Sequence, residues 1–296
     1  MPSFRSAQVQ ARHAISQKIS LGHGRHNNQN DGRIHSVGTA RGYGQALKGF
    51  TEYIQKNHQG DLSRVTVQDA QQYLLDRAGI VVQKTLDLDR QAIQMHLSVQ
   101  LDVVKSELET CLSTRSYTAT QVERIASAQS ERNSLATQIA HDAGLRAHEL
   151  LTLRLTEERQ ASTHRQWDAD RFTGRTGQRY TVKGKGGLIR EVILSNHLAA
   201  RLEKKYHAEP QQVSDRGVNY TQHYNIGGGQ AWSQSFSAAS KRELGFSNGA
   251  HGLRHSYAQN RMKELQRRGM LYNEAKGTLA QEVGHFDKET TEAYLR

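Results

Sequence analysis

The first third of the chain carries apolar residues at the spacing of amphipathic helices. In the first of these helices, apolar residues recur every three or four positions and share one face: Tyr43, Leu47, Phe50 and Ile54. A second helix is predicted to begin after Thr66, because Asp69 completes a capping box, and to end at Gly79. Helical character continues over residues 85–110. Residues 38–112 are therefore predicted to form a small all-helical domain of about four helices.

A change of composition separates this region from the rest of the chain. Residues 111–119 are rich in serine and threonine and poor in apolar residues, which predicts a domain boundary. Beyond it, a capping box at residues 120–123 predicts the start of a helix, and a further helix is predicted to end at Gly144. Residues 208–249 are predicted to be mostly loop, and helices resume at Leu253.

Residues 179–194 change to the alternating period of a β-strand pair. Apolar and polar positions alternate around a glycine-rich turn at residues 183–187, which is typical of a β-hairpin. The turn lacks the Gly-x-x-x-x-Gly-Lys-Ser/Thr spacing of a nucleotide-binding loop. Residues 171–190 contain no acidic residue, and four of their basic residues are predicted to contact DNA: Arg175, Arg179, Lys183 and Arg190. A solvated surface hairpin is the alternative interpretation.

Composition indicates a polyanionic partner and a reducing compartment. The 296 residues carry a formal net charge of +11, which favours nucleic acid, although a basic protein without such a partner is the alternative. Cys111 is the only cysteine, so a disulfide framework or a thiolate zinc site is not expected. No apolar run long enough for a signal peptide or a membrane span occurs. We therefore expect a bacterial-type cytoplasmic protein, associated with DNA and not with a membrane.

The N-terminal residues are basic and polar. Residues 1–37 hold a Gly-, His- and Asn-rich run at 22–28, and they carry five Lys or Arg residues against one acidic residue. They are predicted to form a basic flexible segment, either an arm that settles on phosphates or a disordered leader.

The strongest chemical signal lies near the C-terminus. A His-Gly-Leu-Arg tetrad at residues 251–254 is followed by Gly284-His285, and Tyr294 comes nine positions after that histidine. Exchange of a phosphodiester without a metal needs a nucleophile, cations for the phosphate oxygens and an acid for the leaving oxygen. A phenol, forked guanidinium groups and imidazoles supply these functions, so the combination predicts a phosphoryl-transfer site.

With these motifs, the chain resembles the tyrosine recombinase (phage integrase-like) family over about residues 117–296. The matching stretches are residues 141–150, 182–194, 251–258 and 283–294. The helical region resembles the family's core-binding domain in its architecture. The resemblance implies a mainly α fold with a small β-hairpin, in which an all-helical core-binding domain precedes an α+β catalytic domain at 117–296.

The resemblance also implies roles for the phosphate ligands and the nucleophile. Arg146 and Arg254 would clamp the scissile phosphate, and Glu149 would support the site from one helical turn beyond the first arginine. Tyr294 would form a 3′-phosphotyrosine link and free a 5′-hydroxyl.

The remaining implied roles concern proton transfer. His251 would accept a proton or bind the phosphate, and His285 would bind the phosphate. Lys185 in the hairpin turn would be the general acid, with Lys183 as the second candidate. No metal and no cofactor is implied.

The implied function is that of a site-specific recombinase or integrase acting on double-stranded DNA, for integration or excision of a mobile element. It would work as a homo-oligomer, with a dimer at each site and a tetramer in the synapse, and an accessory directionality factor is a possible partner. The alternatives are a type IB-like topoisomerase, a Xer-like dimer resolvase, and a non-catalytic DNA-binding protein of the same fold.

Overall fold

The protein consists of two compact units. The computed structural model describes residues 5–21, 31–57, 60–109 and 114–296, apart from the side chain of Lys185. Residues 1–112 form the N-terminal unit and residues 113–296 the C-terminal unit. Across the described ranges, no helix is both long and apolar enough to cross a membrane.

The described part of the N-terminal unit is built from helices. They are α1 (Ala7–Ser16), α2 (Val37–Asn57), α3 (Val67–Ala78) and α4 (Gln83–Leu97). The predicted face of α2 is confirmed, since Leu47, Phe50 and Ile54 are buried in the core of this unit. The capping box of α3 is confirmed as well: the Thr66 side chain accepts from the Asp69 backbone N–H, and the Asp69 carboxylate accepts from the Thr66 N–H.

The structure differs from the flexible segment predicted for residues 1–37. Helix α1 packs against α2, because Ala7, Ala11 and Ile15 recur every four residues and bury one apolar stripe. The stripe is short and made mostly of alanine, so the surrounding polar residues obscure it in the sequence. The Gly-, His- and Asn-rich run at 22–28 lies outside the described residues.

Helix α4 ends earlier than the continuous helical character over 85–110 predicts. Its last residue is Leu97, and Ser98 follows in the left-handed conformation with φ of 55°. The chain from 99 to 109 is not helical, although Val104 is still buried in the core.

The C-terminal unit contains helices and two small antiparallel sheets. Its helices are α5 (Ala119–Ser127), α6 (Glu131–Ala143), α7 (Asn196–Glu203), α8 (Gly229–Leu244), α9 (Gly252–Arg267), α10 (Tyr272–Glu282) and α11 (Lys288–Glu292). The strands are β1 (Arg154–Leu155), β2 (Gln178–Lys183), β3 (Ile189–Leu194), β4 (Tyr206–Asp215) and β5 (Val218–Tyr224). The first three form one sheet in the order β1-β2-β3, and β4 pairs with β5. The predicted β-hairpin is β2–β3, in which Lys183 pairs with Ile189.

Two predictions for this unit are corrected. The capping box of α5 is Thr118 with Gln121, two residues before the predicted one. Residues 208–249 are not mostly loop, because they contain most of β4 together with β5 and α8. Strand β4 is largely exposed and polar on both faces, so it lacks the alternation that marks a half-buried strand.

Gly144 ends α6 and turns the chain towards Arg146. Its φ is +61°, and a Cβ at this position would lie 2.6 Å from Cδ1 of Tyr257. Gly245 ends α8 with φ of +79°, but a Cβ there would meet nothing within 4 Å.

We therefore expect Gly144→Ala to lower the free energy of unfolding by about 2–4 kcal/mol, from backbone strain and overpacking together. Gly245→Ala, the matched control, is expected to cost about 1 kcal/mol because only the backbone is strained. Denaturant unfolding followed by tryptophan fluorescence measures both, since Trp167 and Trp232 lie in the C-terminal unit. Equal effects of the two substitutions would contradict the close contact.

Candidate active site

The C-terminal unit brings distant parts of the sequence into one cluster. The parts are the loop after α6, the first turn of α9, the loop between α10 and α11, and the residues that follow α11. The clustered side chains are Arg146, Glu149, His251, Arg254, His285 and Tyr294. The remaining predicted catalytic residue, Lys185, has a side chain outside the described part of the structure.

A buried carboxylate organises the arginines. Glu149 is fully buried and accepts hydrogen bonds from Nη1 of Arg146 at 2.8 Å and Nη2 of Arg190 at 2.8 Å. Nη1 of Arg254 lies 3.7 Å from the same carboxylate. Burial alone would raise the pKa of Glu149, but the charges of Arg190, Arg254 and Arg146 outweigh it and hold this pKa well below its ordinary range. Glu149 is therefore an anion that fixes three guanidinium groups.

Arg254 is fully buried in the first turn of α9. Its Nη1 donates to the Gly144 carbonyl at 2.7 Å, and its Nη2 donates to the Val283 carbonyl. Burial, reinforced by the charge of Arg146, lowers the pKa of Arg254 to about 9, so the side chain is charged near neutral pH. Its Nε is buried and has no hydrogen-bond partner among the described residues. The site thus holds a positive charge with unused donor capacity.

Arg146 and His285 are directly joined. Nη2 of Arg146 lies 2.6 Å from Nε2 of His285. A guanidinium can only donate, so Nε2 is the acceptor and the imidazole proton is on Nδ1. That Nδ1 is buried and makes no hydrogen bond within the described part of the chain. Each of these side chains keeps an N–H that could bind an anionic oxygen.

The ring of Tyr294 lies among three histidines and an arginine. Its centroid is 5.5 Å from that of His251, 4.8 Å from that of His255 and 5.4 Å from that of His285. Cζ of Arg254 lies 5.5 Å from the same centroid. The tyrosine side chain is buried, and no described residue makes a hydrogen bond to its phenol oxygen.

His255 is a site residue that the motif analysis did not single out. It is buried, its Nδ1 has no partner among the described residues, and its ring is the nearest of the three to Tyr294. Its position one residue after Arg254 on α9 was the available signal, because helix periodicity places it beside His251, four residues earlier.

The histidines of the cluster are neutral near pH 7. Desolvation, reinforced by nearby arginines, lowers the pKa of His285 to about 3 and that of His255 to about 4. The same causes lower the pKa of His251, although this residue is exposed and water screens the charges there. Neutral imidazoles can donate one hydrogen bond and accept a proton.

The β2–β3 turn passes next to the cluster. A Cβ on Gly184 would lie 3.3 Å from Oε1 of Glu149 and 3.9 Å from Nη1 of Arg146. Lys183 is exposed, and its backbone N–H donates to Oγ1 of Thr152 at 2.9 Å. The side chain of Lys185, the predicted general acid, lies outside the described part of the structure. Its backbone lies in the β2–β3 turn.

Two of the predicted DNA-contacting arginines, Arg190 and Arg175, make contacts within the protein. Arg190 is 1% exposed and binds Glu149 and the Glu282 carbonyl, so it cannot reach a nucleic acid. Arg175 forms a two-pronged ion pair with Glu264, with N–O distances of 3.0 and 2.9 Å. Arg179 and Lys183 are exposed, and Arg179 pairs with Glu191 at 2.9 Å.

The described residues contain no group of three or more His, Cys, Asp or Glu side chains arranged to hold a metal ion. The cluster is instead rich in guanidinium groups and imidazoles around one phenol. Such a set can bind a phosphate through fixed donors and present an oxygen nucleophile to it.

Comparison with known proteins identifies the fold. The chain is similar to the XerH site-specific recombinase bound to palindromic difH substrate, with a TM-score of 0.56, 18% identity, and coverage of 98% of this chain and 90% of that one. It is also similar to lambda integrase (75–356) bound as a dimer to a COC′ core site, with a TM-score of 0.55, 14% identity, and coverage of 96% and 95%. A lambda integrase tetramer bound to a Holliday junction gives a TM-score of 0.54 at 13% identity, with coverage of 96% and 77%. No protein-family model and no curated protein matches the sequence.

Proposed function

We propose that this chain, which has the tyrosine recombinase fold, is a site-specific DNA recombinase that cleaves and rejoins strands through Tyr294. The observation that carries the proposal is the packing of the Tyr294 ring against Arg254 and three neutral histidines, with Arg146 next to His285. A phenol beside fixed cationic donors is suited to attack on a phosphodiester.

In the proposed reaction, the phenol oxygen of Tyr294 forms a bond to the phosphorus, and the bond from phosphorus to the 5′-oxygen breaks. The products are a 3′-phosphotyrosine and a free 5′-hydroxyl. The phenol proton passes to a neutral base, for which His251 and His255 both lie against the ring. The ester conserves the bond energy, so attack by a 5′-hydroxyl reverses the step without a nucleotide cofactor.

The arginines would stabilise the charge that develops on the phosphate oxygens. Arg146 and Arg254 are cationic near neutral pH, and Glu149 fixes their orientation before substrate arrives. Nδ1–H of His285 would donate to the same oxygens. Removal of one such donor from a preorganised site typically slows the chemical step about 10²–10³-fold.

The leaving 5′-oxygen needs a proton, and the lysines of the β2–β3 turn are the proposed source. Lys185 is the first candidate and Lys183 the second, because the turn runs beside Glu149 and Arg146. We propose that the reaction needs no metal ion and no cofactor.

Duplex DNA is the proposed partner, and a net charge of +11 supports it. We propose a dimer at each site and a tetramer during exchange, on the analogy of the lambda integrase dimer on a core site and tetramer on a Holliday junction. Integration or excision of a mobile element, assisted by a directionality factor, is the proposed biological setting.

DNA binding is expected to weaken steeply with salt, because contacts of lysine and arginine with phosphates release counterions. If about six phosphates are contacted, affinity should fall on the order of a thousandfold between about 50 and about 200 mM salt. Lys183→Ala should reduce the slope of log affinity against log salt by about one. Fluorescence anisotropy with labelled duplex measures both, and a slope near zero would contradict the proposed contacts.

Strand exchange distinguishes a recombinase from related activities. Two labelled duplexes that carry the DNA flanking the gene are mixed with the protein and analysed for recombinant strands. Recombinant products support the proposal. Relaxation of supercoiled plasmid of any sequence without exchange would indicate a topoisomerase, and binding without any cleavage would indicate a non-catalytic DNA-binding protein.

A further inference from the structure

Helix α11 directly precedes the segment that holds Tyr294, and it is too short to be stable alone. It has five residues, and Tyr294 follows its last residue by two positions. Isolated helices shorter than about 12 residues are marginal in water. The position of Tyr294 must therefore depend on contacts that α11 makes with the rest of the C-terminal unit.

Glu292 makes two of these contacts through its carboxylate. Its Oε2 lies 3.0 Å from Nζ of Lys276, and its Oε1 accepts from the hydroxyl of Tyr272 at 2.9 Å. Both partners belong to α10 and lie one helical turn apart. The carboxylate thus attaches α11 to α10 at two points on the same face.

The Lys276 ammonium gives this contact an electrostatic basis. Its side chain is only 9% exposed, so it has lost most of its hydration and benefits from an anionic neighbour. Glu289 offers a second carboxylate at 3.6 Å, but the side chain of Glu289 is 83% exposed and makes the longer contact. Glu292, at 31% exposure and 3.0 Å, is the main partner.

A second attachment lies beyond the tyrosine. Nε2 of Gln259 on α9 donates to the Arg296 carbonyl at 2.8 Å and lies 3.4 Å from the Tyr294 carbonyl. The backbone on the far side of Tyr294 is therefore held by α9, which also carries Arg254 and directly follows His251. Glu292 and Gln259 fix the two sides of the nucleophile.

We infer that Glu292 is a positioning residue, which holds Tyr294 in the candidate active site by attaching α11 to Lys276 and Tyr272. The inference rests on the proposed function, in which Tyr294 is the nucleophile. Since a nucleophile reacts in proportion to the time it spends in reacting geometry, loss of the attachment should slow cleavage without weakening DNA binding.

Charge reversal tests the inference in the full-length protein. Glu292→Lys places a cation against Lys276, and the double variant Lys276→Glu/Glu292→Lys restores an ion pair with the charges exchanged. Glu209→Lys is the matched control, because it makes the same charge change at an exposed position of β4 that forms no ion pair with a described residue.

Hydrogen exchange of the protein without DNA is the first measurement. The Tyr294 and Leu295 amides donate to carbonyls in α11, so they report its attachment. In Glu292→Lys, the hydrogens of these two amides are expected to exchange about tenfold faster, because the variant has lost the hydrogen bonds that the Glu292 carboxylate accepts. The double variant should regain protection, and the control should match wild type. All three variants should still unfold in one cooperative transition by tryptophan fluorescence, which shows that the rest of the C-terminal unit is folded.

Covalent adduct formation with duplex fragments flanking the gene is the second measurement. Glu292→Lys should form adduct about tenfold more slowly at unchanged DNA affinity, and the double variant should recover the rate. Unchanged exchange in Glu292→Lys, or a normal or faster rate of adduct formation, would overturn the inference. If wild type forms no adduct, the proposed function fails, and with it the positioning role, while exchange still decides whether Glu292 anchors α11.

Discussion

Tyr294→Phe is expected to bind DNA with wild-type affinity and to form no covalent adduct. The substitution removes only the phenol oxygen, to which no described residue makes a hydrogen bond, and it keeps the ring that packs against Arg254 and His255. The fold should therefore be preserved while the nucleophile is lost. Denaturation with detergent after mixing with duplex DNA, followed by electrophoresis, measures the adduct.

Tyr206→Phe is the matched control for this substitution. Tyr206 lies on the exposed strand β4, outside the clustered residues, and the residue is 44% exposed. This variant should form adduct at the wild-type yield. A normal yield from Tyr294→Phe would instead place the nucleophile on another residue.

Glu149→Gln is expected to lower the free energy of unfolding by about 3–5 kcal/mol. The substitution keeps the shape of the side chain but leaves Arg190 and Arg254, both fully buried, without their anion. An uncompensated buried charge costs far more than a broken surface pair. Denaturant unfolding followed by tryptophan fluorescence measures the change.

The difference in unfolding free energy between wild type and Glu149→Gln should depend on pH, because the pKa of Glu149 is lowered in the folded protein. A carboxylate whose pKa is lowered in the folded state adds stability above its ordinary pKa of 4.5, and this stability is lost as the pH falls through the lower folded value. The gap between wild type and Glu149→Gln should therefore be full near pH 7 and shrink below about pH 4.5.

Glu243→Gln is the control at a surface pair, since Glu243 lies 3.8 Å from Arg124 and both side chains are solvent-accessible. It should change stability by less than about 1 kcal/mol. An equally small effect of Glu149→Gln would show that the buried carboxylate does not hold the arginines together.

The sequence predicted those elements whose signals are local. The apolar face of α2, the capping box at Thr66 and the end of α6 at Gly144 each depend on residues within a few positions of one another. The β2–β3 hairpin was predicted because alternation and a glycine-rich turn coincide. The mainly α fold class with a small β element was likewise predicted correctly.

Elements without a strong local signal were missed. Helix α1 buries a stripe made mostly of alanine, and β4 is polar on both faces. In both, tertiary pairing decides the structure, and the helix is stabilised by packing against α2. The chain from 99 to 109 is held by side-chain contacts, such as the bond from Gln83 to the Val104 carbonyl at 3.1 Å.

For the candidate site as well, the sequence predicted what depends on motifs and missed what depends on tertiary contacts. Motif order predicted that Arg146, Arg254, His285 and Tyr294 share one site, and the structure brings them together, while their roles are still predictions. Sequence charge could not separate surface arginines from buried ones, because Arg190 is buried through contacts with residues distant in the chain, Glu149 and the Glu282 carbonyl.

Mass spectrometry of the trapped protein–DNA adduct tests the central claim most directly. Wild-type protein is mixed with duplex fragments flanking the gene, stopped with detergent and digested with protease and nuclease, and the nucleotide-bearing peptide is sequenced. We predict that the peptide contains Tyr294 and that the modification is on its phenol oxygen, with a free 5′-hydroxyl on the other DNA end. A nucleotide attached to any other residue, or cleaved DNA that carries no protein, would contradict this account.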